Sequence, residues 1–250
     1  MNRLTLAQPR DITSLFRDSL RIYVRHAGLF ILLSAVVVVP VHLVVEGIGL
    51  ERLSGRYDST PPIAETVVPT VVAFLVVMPI VTAICIHALR SIANGERPRA
   101  SQALISGFEA FTPLFVAVVI AAIGIAAGFV LLVIPGIYLA VRLFFVPQTV
   151  VIEGARGLDA LRASSDIVSG FWWRTFGLVV MINLAAALPA LVITAPFNGI
   201  ADNTGDAVWA LAGAICAESI TAPFVALFST FLYYDLRARR APAATDSQRP

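Results

Sequence analysis

The sequence contains no lysine, so its 18 basic side chains are all arginines. A phosphate-binding loop of the Walker A type requires a lysine, and a Schiff-base enzyme requires an amine, so both kinds of chemistry are excluded. Charged residues make up only 14% of the chain, against about 25% in an ordinary soluble domain. This shortage of charge indicates that much of the chain avoids water.

Cysteine is equally scarce, and its placement argues against metal or redox chemistry. Cys85 and Cys216 each lie inside an apolar block, where we predict that the buried thiol acts as a small apolar side chain. The sequence has no CxxC pair, no Cys/His cluster and no HExxH motif. We therefore expect no metal ion and no cofactor, and nothing in the sequence indicates binding to nucleic acid.

Long apolar runs are what the sequence has in abundance. Hydrophobic residues make up 58% of it, against roughly 45–50% in soluble domains. About 20 apolar residues in a helix cross a ~30 Å hydrocarbon core. The pattern therefore predicts an all-α polytopic bundle of transmembrane helices. Six spans are expected, at about 27–50, 67–90, 112–134, 136–153, 174–196 and 207–234.

The fourth predicted span is short, carries a charge and follows the third span closely. Ile134-Pro135-Gly136 is predicted to form the turn between them, because proline and glycine together stop a helix and permit a tight reversal. Prolines elsewhere in the spans predict kinked helices. These are Pro40, Pro79, Pro147, Pro189 and Pro223.

The arginines lie mainly on one side of the predicted spans. The opposite side has only Arg52 and Arg56. By the positive-inside rule, both termini are expected in the cytoplasm of a bacterial cell, with the chain in its plasma membrane. Trp172, Trp173 and Tyr233 fall at the same predicted interface. The arginines on that side are Arg3, Arg10, Arg17, Arg21, Arg25, Arg90, Arg97, Arg99, Arg156, Arg162, Arg174, Arg237, Arg239, Arg240 and Arg249.

A short amphipathic segment precedes each odd-numbered span. Residues 100–108 match residues 163–171 in sequence, and residues 18–26 form a weaker third copy. Such segments are typical of helices that lie in the membrane interface. We predict one membrane domain over 1–240, built from three like-oriented hairpins, each preceded by an interfacial helix. The repeats are placed at about 11–90, 99–153 and 157–237, and a disordered cytoplasmic tail at 241–250.

One stretch of the sequence is similar to a known family. Ile134-Pro135-Gly136 through Pro147, Val151-Ile152-Glu153-Gly154, and the run from Ala160 to Gly177 resemble the membrane-domain family named after the membrane portion of glycerophosphoryl diester phosphodiesterases. The resemblance implies a multi-helix membrane bundle and transfers no activity. Some members are fused to a soluble phosphodiesterase barrel. No soluble segment of this sequence is long enough for such a barrel.

Arg142 and Glu218 are the sharpest candidates for a binding site. An arginine within a span costs at least about 2.5–3.5 kcal/mol unless it is paired or near water. Arg142 is expected either to bind an anionic group, to pair with Glu218 or to reach an interface, and its distance from Pro135 favours the outer one. Glu218 either relays protons or binds a cation, or it stays protonated or hydrogen-bonds a neighbouring helix.

Two further groups of polar residues and one glycine pattern complete the candidates. Glu153 ends the fourth span and is expected to pair with Arg156 or Arg162. His42, Glu46 and His87 lie in or near the first two spans, without the spacing of a metal site. A GxxxG pattern, Gly124 to Gly128, is expected to allow close approach to another helix of the bundle.

The absence of a catalytic constellation predicts a protein that is not an enzyme. We expect a structural, lipid-associated or accessory membrane component, with membrane lipids as partners and a second membrane protein or another copy of the chain as further candidates. The alternative is a small transporter or permease component that uses Arg142 and Glu218 in a polar cavity near the bilayer midplane.

Overall fold

A computed structural model describes residues 8–47, 70–96 and 98–240, and every regular element in those ranges is a helix. Within these ranges six helices are long and apolar enough to cross a membrane, which confirms the predicted all-α polytopic bundle. The predicted tail 241–250 lies outside the described residues, as do Arg3, Arg52, Arg56, Arg97 and Arg249 and the side chain of Glu46. Spans 1 to 6 are Ala27–Val45, Thr70–Ala93, Phe111–Leu131, Val133–Glu153, Trp172–Thr204 and Ala207–Arg240.

A short helix precedes spans 1, 3 and 5, as the sequence predicts. Short helix 1 is Ile12–Arg25, short helix 2 is Ala100–Glu109, and short helix 3 is Gly157–Val168. This order is compatible with the threefold repeat, which stays a prediction. The apolar stripe of short helix 1 is covered by protein in part: Leu15 is fully buried, and Phe16 packs edge-on against Phe224 of span 6 with 5.7 Å between ring centroids.

Tyr23 ties the end of short helix 1 to the interior of span 6. Its hydroxyl donates a hydrogen bond to the carbonyl oxygen of Ile220 at 2.8 Å. Burial raises the pKa of Tyr23 to about 12, so the phenol keeps its proton and remains a donor throughout the physiological pH range. Short helix 1 is therefore held against span 6 by both apolar packing and a polar contact.

The turn between spans 3 and 4 lies at Leu132, and the predicted turn at Ile134-Pro135-Gly136 is wrong. Leu132 has an extended backbone, and the next helix, Val133–Arg142, already contains Pro135 and Gly136. Proline is tolerated there because the first N–H groups of a helix have no partner within the helix. Gly136 serves close packing, since a Cβ at this position would lie 2.5 Å from the ring of Phe129.

We expect Gly136→Ala to lower the free energy of unfolding by about 1–3 kcal/mol, because the new methyl group overlaps the Phe129 ring. Gly124→Ala is the matched control: it lies on the facing span, and its Cβ would have no neighbour within 4 Å. Alanine favours a helix over glycine by about 1 kcal/mol, so the control should be neutral or slightly stabilising. Unfolding titrations in mixed micelles measure the stability of both variants. Equal effects of the two substitutions would contradict close packing of Gly136 against Phe129.

Spans 5 and 6 are longer than predicted. Span 5 continues past 196 because its helix accommodates Pro189 and Pro196, and it ends only at Gly205, whose φ of 71° is the left-handed conformation that glycine adopts at helix ends. Span 6 likewise continues past 234, to Arg240. Cys216 on this span is exposed, contrary to the prediction that both cysteines are buried, whereas Cys85 is buried.

Span 4 is interrupted, and span 2 begins irregularly. Span 4 consists of Val133–Arg142, a single turn at Val146–Gln148 and a π-helix at Thr149–Glu153. Span 2 contains a second π-helix, Ala73–Val77, just before Pro79. Each π-helix therefore has a proline close to it, and π-helical turns are frequent at functional sites.

One end of the bundle collects basic side chains around a single buried carboxylate. Asp235 is fully buried and accepts hydrogen bonds from the guanidinium groups of Arg174 and Arg239 and from the backbone N–H of Arg10. Arg90 near the end of span 2 donates to the carbonyl oxygen of Ile152 at the end of span 4. We call this the arginine-rich end of the bundle.

Candidate functional site

Arg142 lies near the arginine-rich end, although its distance from Pro135 favoured the outer interface. Its guanidinium donates to the hydroxyl of Tyr138 at 3.1 Å and to the carbonyl oxygen of Ser165 in short helix 3 at 3.5 Å. It also lies 5.5 Å from the centroid of the Tyr138 ring. Within the described residues no carboxylate lies within 4 Å of it, so the cation is held by neutral acceptors and an aromatic face.

Glu218 pairs with His42 of span 1, and the structure does not bring it together with Arg142. The distance between His42 Nε2 and Glu218 Oε2 is 2.5 Å, and both side chains are largely buried. The contact joins residues 176 positions apart. Among the roles that the sequence allowed for Glu218, this contact corresponds to a hydrogen bond with a neighbouring helix.

Glu153 has partners other than the predicted Arg156 or Arg162. Its Oε1 accepts a hydrogen bond from the hydroxyl of Tyr233 at 2.5 Å and lies 3.8 Å from Arg237. Arg162 instead pairs with Asp159 on the exposed face of short helix 3. Glu153 therefore joins the end of span 4 to the end of span 6, and the three sequence-predicted site residues lie in three separate places.

Ser164 compensates for the interruption of span 4. Its hydroxyl donates to the carbonyl oxygen of Arg142 at 2.8 Å and accepts from the backbone N–H of Phe145 at 3.1 Å. Both backbone groups lie where the helix stops, and an unpaired backbone group costs several kcal/mol away from water. Short helix 3 therefore stabilises the irregular backbone that follows Arg142.

We expect Ser164→Ala to lower the free energy of unfolding by about 1–3 kcal/mol, since it leaves a buried N–H without its acceptor. Ser165→Ala is the control: it is the next residue on the same helix, and only its backbone carbonyl is engaged. Thermal unfolding of the purified proteins in detergent measures the difference. If both variants melt at the same temperature, the bridge at the interruption contributes nothing.

A cavity of about 510 Å³ lies among spans 2 to 6, beside the interrupted segment of span 4. Its wall is overwhelmingly apolar and includes both prolines that adjoin the π-helices, Pro79 and Pro147. The volume lies within the ~300–1,000 Å³ of small-molecule sites, which are mostly apolar with a few well-placed polar groups. The polar side chains in this wall are those of Thr82, Gln148, Asn183 and Ser229.

Gln148, which lines this cavity, has a buried acceptor without a donor. It is only 2% exposed, and its Nε2 donates to Ser229 Oγ at 2.9 Å. The Ser229 hydroxyl already donates to the carbonyl oxygen of Ala226, so it can only accept from Gln148, and the amide nitrogen must face it. Oε1 of Gln148 is then left buried with no hydrogen-bond donor from the described chain.

The cavity wall reaches the outer surface of the bundle. Phe74, Phe129 and Val180 line the cavity and are 54%, 46% and 41% exposed. They belong to spans 2, 3 and 5, where an exposed side chain faces hydrocarbon. These partly exposed side chains form the rim of the cavity.

Three polar residues of functional interest were not predicted from the sequence: Gln148, Ser229 and Asp235. One feature of the sequence could have indicated Gln148: it is an amide directly after Pro147 in an apolar stretch, where a polar side chain is costly unless it is hydrogen-bonded or functional. Asp235 could have been recognised as the lone acidic residue next to Arg237, Arg239 and Arg240. No feature of the sequence indicates Ser229, because a serine in a transmembrane helix can donate its hydroxyl hydrogen bond to the backbone of its own helix.

Comparison with known proteins gives a family but no activity. A family profile described as a domain of unknown function (DUF7847) matches residues 71–236, which is more than half of the chain. No curated protein and no solved structure matches. Nothing in these comparisons links the chain to the membrane domains of glycerophosphoryl diester phosphodiesterases, so that resemblance stays a prediction.

Proposed function

Because the chain belongs to this family of unknown function, we propose its role from the cavity: it is a lipid-associated membrane protein that holds an apolar, lipid-like molecule among spans 2 to 6. The observation that carries the proposal is the cavity itself, about 510 Å³ with an apolar wall and a lateral rim. Burying an apolar chain there replaces contacts with lipid by contacts with protein. Affinity then depends on fit and on the few polar groups.

Gln148 narrows the proposed ligand to a molecule that carries a hydrogen-bond donor. An unpaired buried acceptor is costly, and a turn of the Gln148 amide toward the cavity would let a ligand hydroxyl remove that cost. A long-chain alcohol, or a glycerolipid with a free hydroxyl, has the required chemistry. The acyl ester portion of a fully esterified lipid offers only acceptors. The proposed ligand is therefore an apolar chain with a hydroxyl group at one end.

Photolabelling tests the proposed function. The full chain in nanodiscs is exposed to hexadecanol that carries a diazirine in its chain, and the labelled residues are mapped by mass spectrometry. We expect saturable labelling of cavity residues such as Val118 and Val225, displaced by unlabelled hexadecanol. Labelling spread evenly over lipid-facing positions such as Leu188, which is 67% exposed, would contradict a specific cavity ligand.

We expect Gln148→Met to weaken hexadecanol binding roughly five-fold, because methionine fills the space but offers no comparable acceptor. Binding of hexadecyl methyl ether, which has no donor, should change little. Asn183→Leu is the control, since Asn183 also lines the cavity but is exposed, with its amide nitrogen bonded to the carbonyl oxygen of Val179. Equal losses for alcohol and ether would refute the role of Gln148 and leave the cavity proposal intact.

The transporter alternative has less support. Neither Arg142 nor Glu218 lines the cavity, and each is engaged elsewhere, Arg142 with Tyr138 and Ser165 and Glu218 with His42. A structural or accessory role without turnover accords better with a site that has one orphan acceptor and no charged wall. We propose that the chain is not an enzyme and that another membrane protein or a second copy is a further partner.

The proposed location is the bacterial plasma membrane, with the arginine-rich end and both termini in the cytoplasm. The excess of arginine near Arg90, Arg174 and Arg239 supports this orientation through the positive-inside rule. Basic groups near an anionic leaflet add about 1 kcal/mol each to its attraction. Fusion of a reporter enzyme to the C-terminus tests the orientation, and activity of a periplasm-specific reporter would overturn it.

A further inference from the structure

The turn that joins span 3 to span 4 is exposed and wholly apolar. Val130, Leu131 and Ile134 are 87%, 76% and 80% exposed, and residues 113–137 contain no polar side chain. The turn between spans 5 and 6, by contrast, carries Asp202 and Asp206. Exposing apolar surface to water costs about 25 cal/mol per Å². The apolar turn is therefore suited to hydrocarbon, and the acidic turn to water.

The helix that leaves this turn is too short to cross a membrane. Val133–Arg142 has 10 residues, and at 1.5 Å per residue it is about 15 Å long. Beyond it the chain makes no further crossing, because both ends of the next segment meet Tyr233. The ring of Phe145 lies 5.9 Å from the Tyr233 ring, and Glu153 accepts a hydrogen bond from the Tyr233 hydroxyl.

The base of the hairpin carries the residues expected at a membrane interface. Arg142 contacts the carbonyl oxygen of Ser165, and the ring of Tyr138 stacks on Trp172 with 5.9 Å between centroids. Trp173 beside it is 78% exposed. Tyrosine, tryptophan and arginine concentrate where hydrocarbon meets headgroups. The helix Val133–Arg142 therefore ends at the interface of the arginine-rich end.

The turn itself meets the requirement that hydrocarbon imposes on backbone. The N–H of Leu132 donates to the carbonyl oxygen of Gly128 at 3.0 Å, and the N–H of Gly136 donates to that of Leu132 at 3.3 Å. Gly128 and Gly136 let the two helices approach, since a Cβ on Gly128 would lie 3.0 Å from the Gly136 Cα. Backbone polar groups at membrane depth must be satisfied internally in this way.

We infer that spans 3 and 4 form a re-entrant hairpin, which enters and leaves the membrane at the arginine-rich end and holds the turn at Leu132 within the hydrocarbon. The 10-residue helix Val133–Arg142 sets the depth of the turn at about 15 Å, half of a ~30 Å core. Span 3 has 21 residues, so its first half lies at the arginine-rich end, where Leu114 and Ala117 are buried in one apolar cluster with Val146 and Val150. Both termini remain on one side, because a re-entrant hairpin, like a pair of crossings, returns the chain to the side from which it started. The inference does not depend on what occupies the cavity.

Cysteine accessibility tests the hairpin. In a chain with Cys85→Ala and Cys216→Ala, single cysteines are placed by Leu132→Cys and, as the control, Asn203→Cys at the polar end of span 5. A membrane-impermeant maleimide is applied from either side of the membrane. The control should react from one side only, and Leu132→Cys at least ten-fold more slowly from either side. Reaction of both from the same side at similar rates would overturn the hairpin.

Depth-dependent fluorescence quenching distinguishes a turn that lies in hydrocarbon from a turn that is covered by another protein. A fluorophore attached at Leu132→Cys in the detergent-purified full chain is reconstituted with lipids brominated at different acyl positions. We expect the strongest quenching from bromine near the middle to the end of the acyl chain. Strongest quenching by bromine near the headgroup would place the turn at a surface, and no quenching at any depth would mean that a protein covers it. Both results would overturn the inference.

Discussion

Replacing Asp235 with alanine is expected to lower the free energy of unfolding by about 3 kcal/mol. Removal of one partner of a buried ion pair typically costs about 3–5 kcal/mol, because the remaining charge is left buried without compensation. The lower value is expected here because the side chains of Arg174 and Arg239 are 24% and 27% exposed and keep some access to water. Reversible unfolding titrations in mixed micelles measure the change.

The geometry around Asp235 explains the size of this effect. One carboxylate oxygen accepts the backbone N–H of Arg10 at 2.6 Å and Arg239 Nε at 3.0 Å, and the other accepts Arg174 Nη2 at 3.2 Å. Arg174 and Arg239 also donate to the carbonyl oxygen of Arg10. The loss of Asp235 therefore removes one of the contacts that hold the segment before short helix 1 against spans 5 and 6, together with the carboxylate that orients Arg174 and Arg239.

An exposed ion pair provides the control for Asp235. Arg162 and Asp159 pair at 3.4 Å with side chains that are 75% and 78% exposed, and such surface pairs contribute about 0–1 kcal/mol. Asp159→Ala should therefore change the free energy of unfolding by less than about 1 kcal/mol. If Asp235→Ala has as small an effect as this control, the cluster at the arginine-rich end does not stabilise the fold.

Ala121→Phe is expected to weaken binding of hexadecanol at least ten-fold, about 1.4 kcal/mol of binding free energy. Ala121 lies in span 3, is 5% exposed and lines the cavity. A phenyl ring there occupies space that the ligand needs. The fold should tolerate the substitution, because the ring enters an existing cavity and not a close-packed core. The affinity and the melting temperature are measured on the same purified samples.

The matched control for Ala121→Phe lies on the same span. Ala127 is exposed and does not line the cavity, so Ala127→Phe adds an equal ring to the lipid-facing surface. We expect unchanged affinity for this variant. Equal weakening by both variants would mean that hexadecanol binds the outside of the bundle, and no weakening by either would mean that the cavity is not its site.

The sequence was sufficient to predict the helical membrane fold because that fold follows from local composition. Apolar runs of sufficient length identified the six candidate spans, and amphipathic periodicity identified the short helices before spans 1, 3 and 5. Helix ends were less predictable. Span 5 was expected to end at about 196, but its helix continues through Pro196 to Thr204, since helices in hydrocarbon tolerate proline when neighbours satisfy the freed carbonyl groups.

The side-chain pairing could not be predicted because it depends on which helices become neighbours. Glu218 had several possible partners in the sequence, and packing of span 1 against span 6 selects His42. The cavity depends on the joint arrangement of five spans, and Gln148 is an orphan acceptor only because Ser229 already donates to the carbonyl oxygen of Ala226. None of these relations leaves a pattern within a single segment.

A cryo-EM map of the full chain in nanodiscs of its native lipids would show whether the cavity is occupied. We expect an elongated non-protein density in the cavity among spans 2 to 6, with one end within hydrogen-bonding distance of Gln148 Oε1. Side chains such as Phe129 and Phe144 packed into the cavity, with no density between them, would contradict the claim that this protein holds a lipid-like molecule.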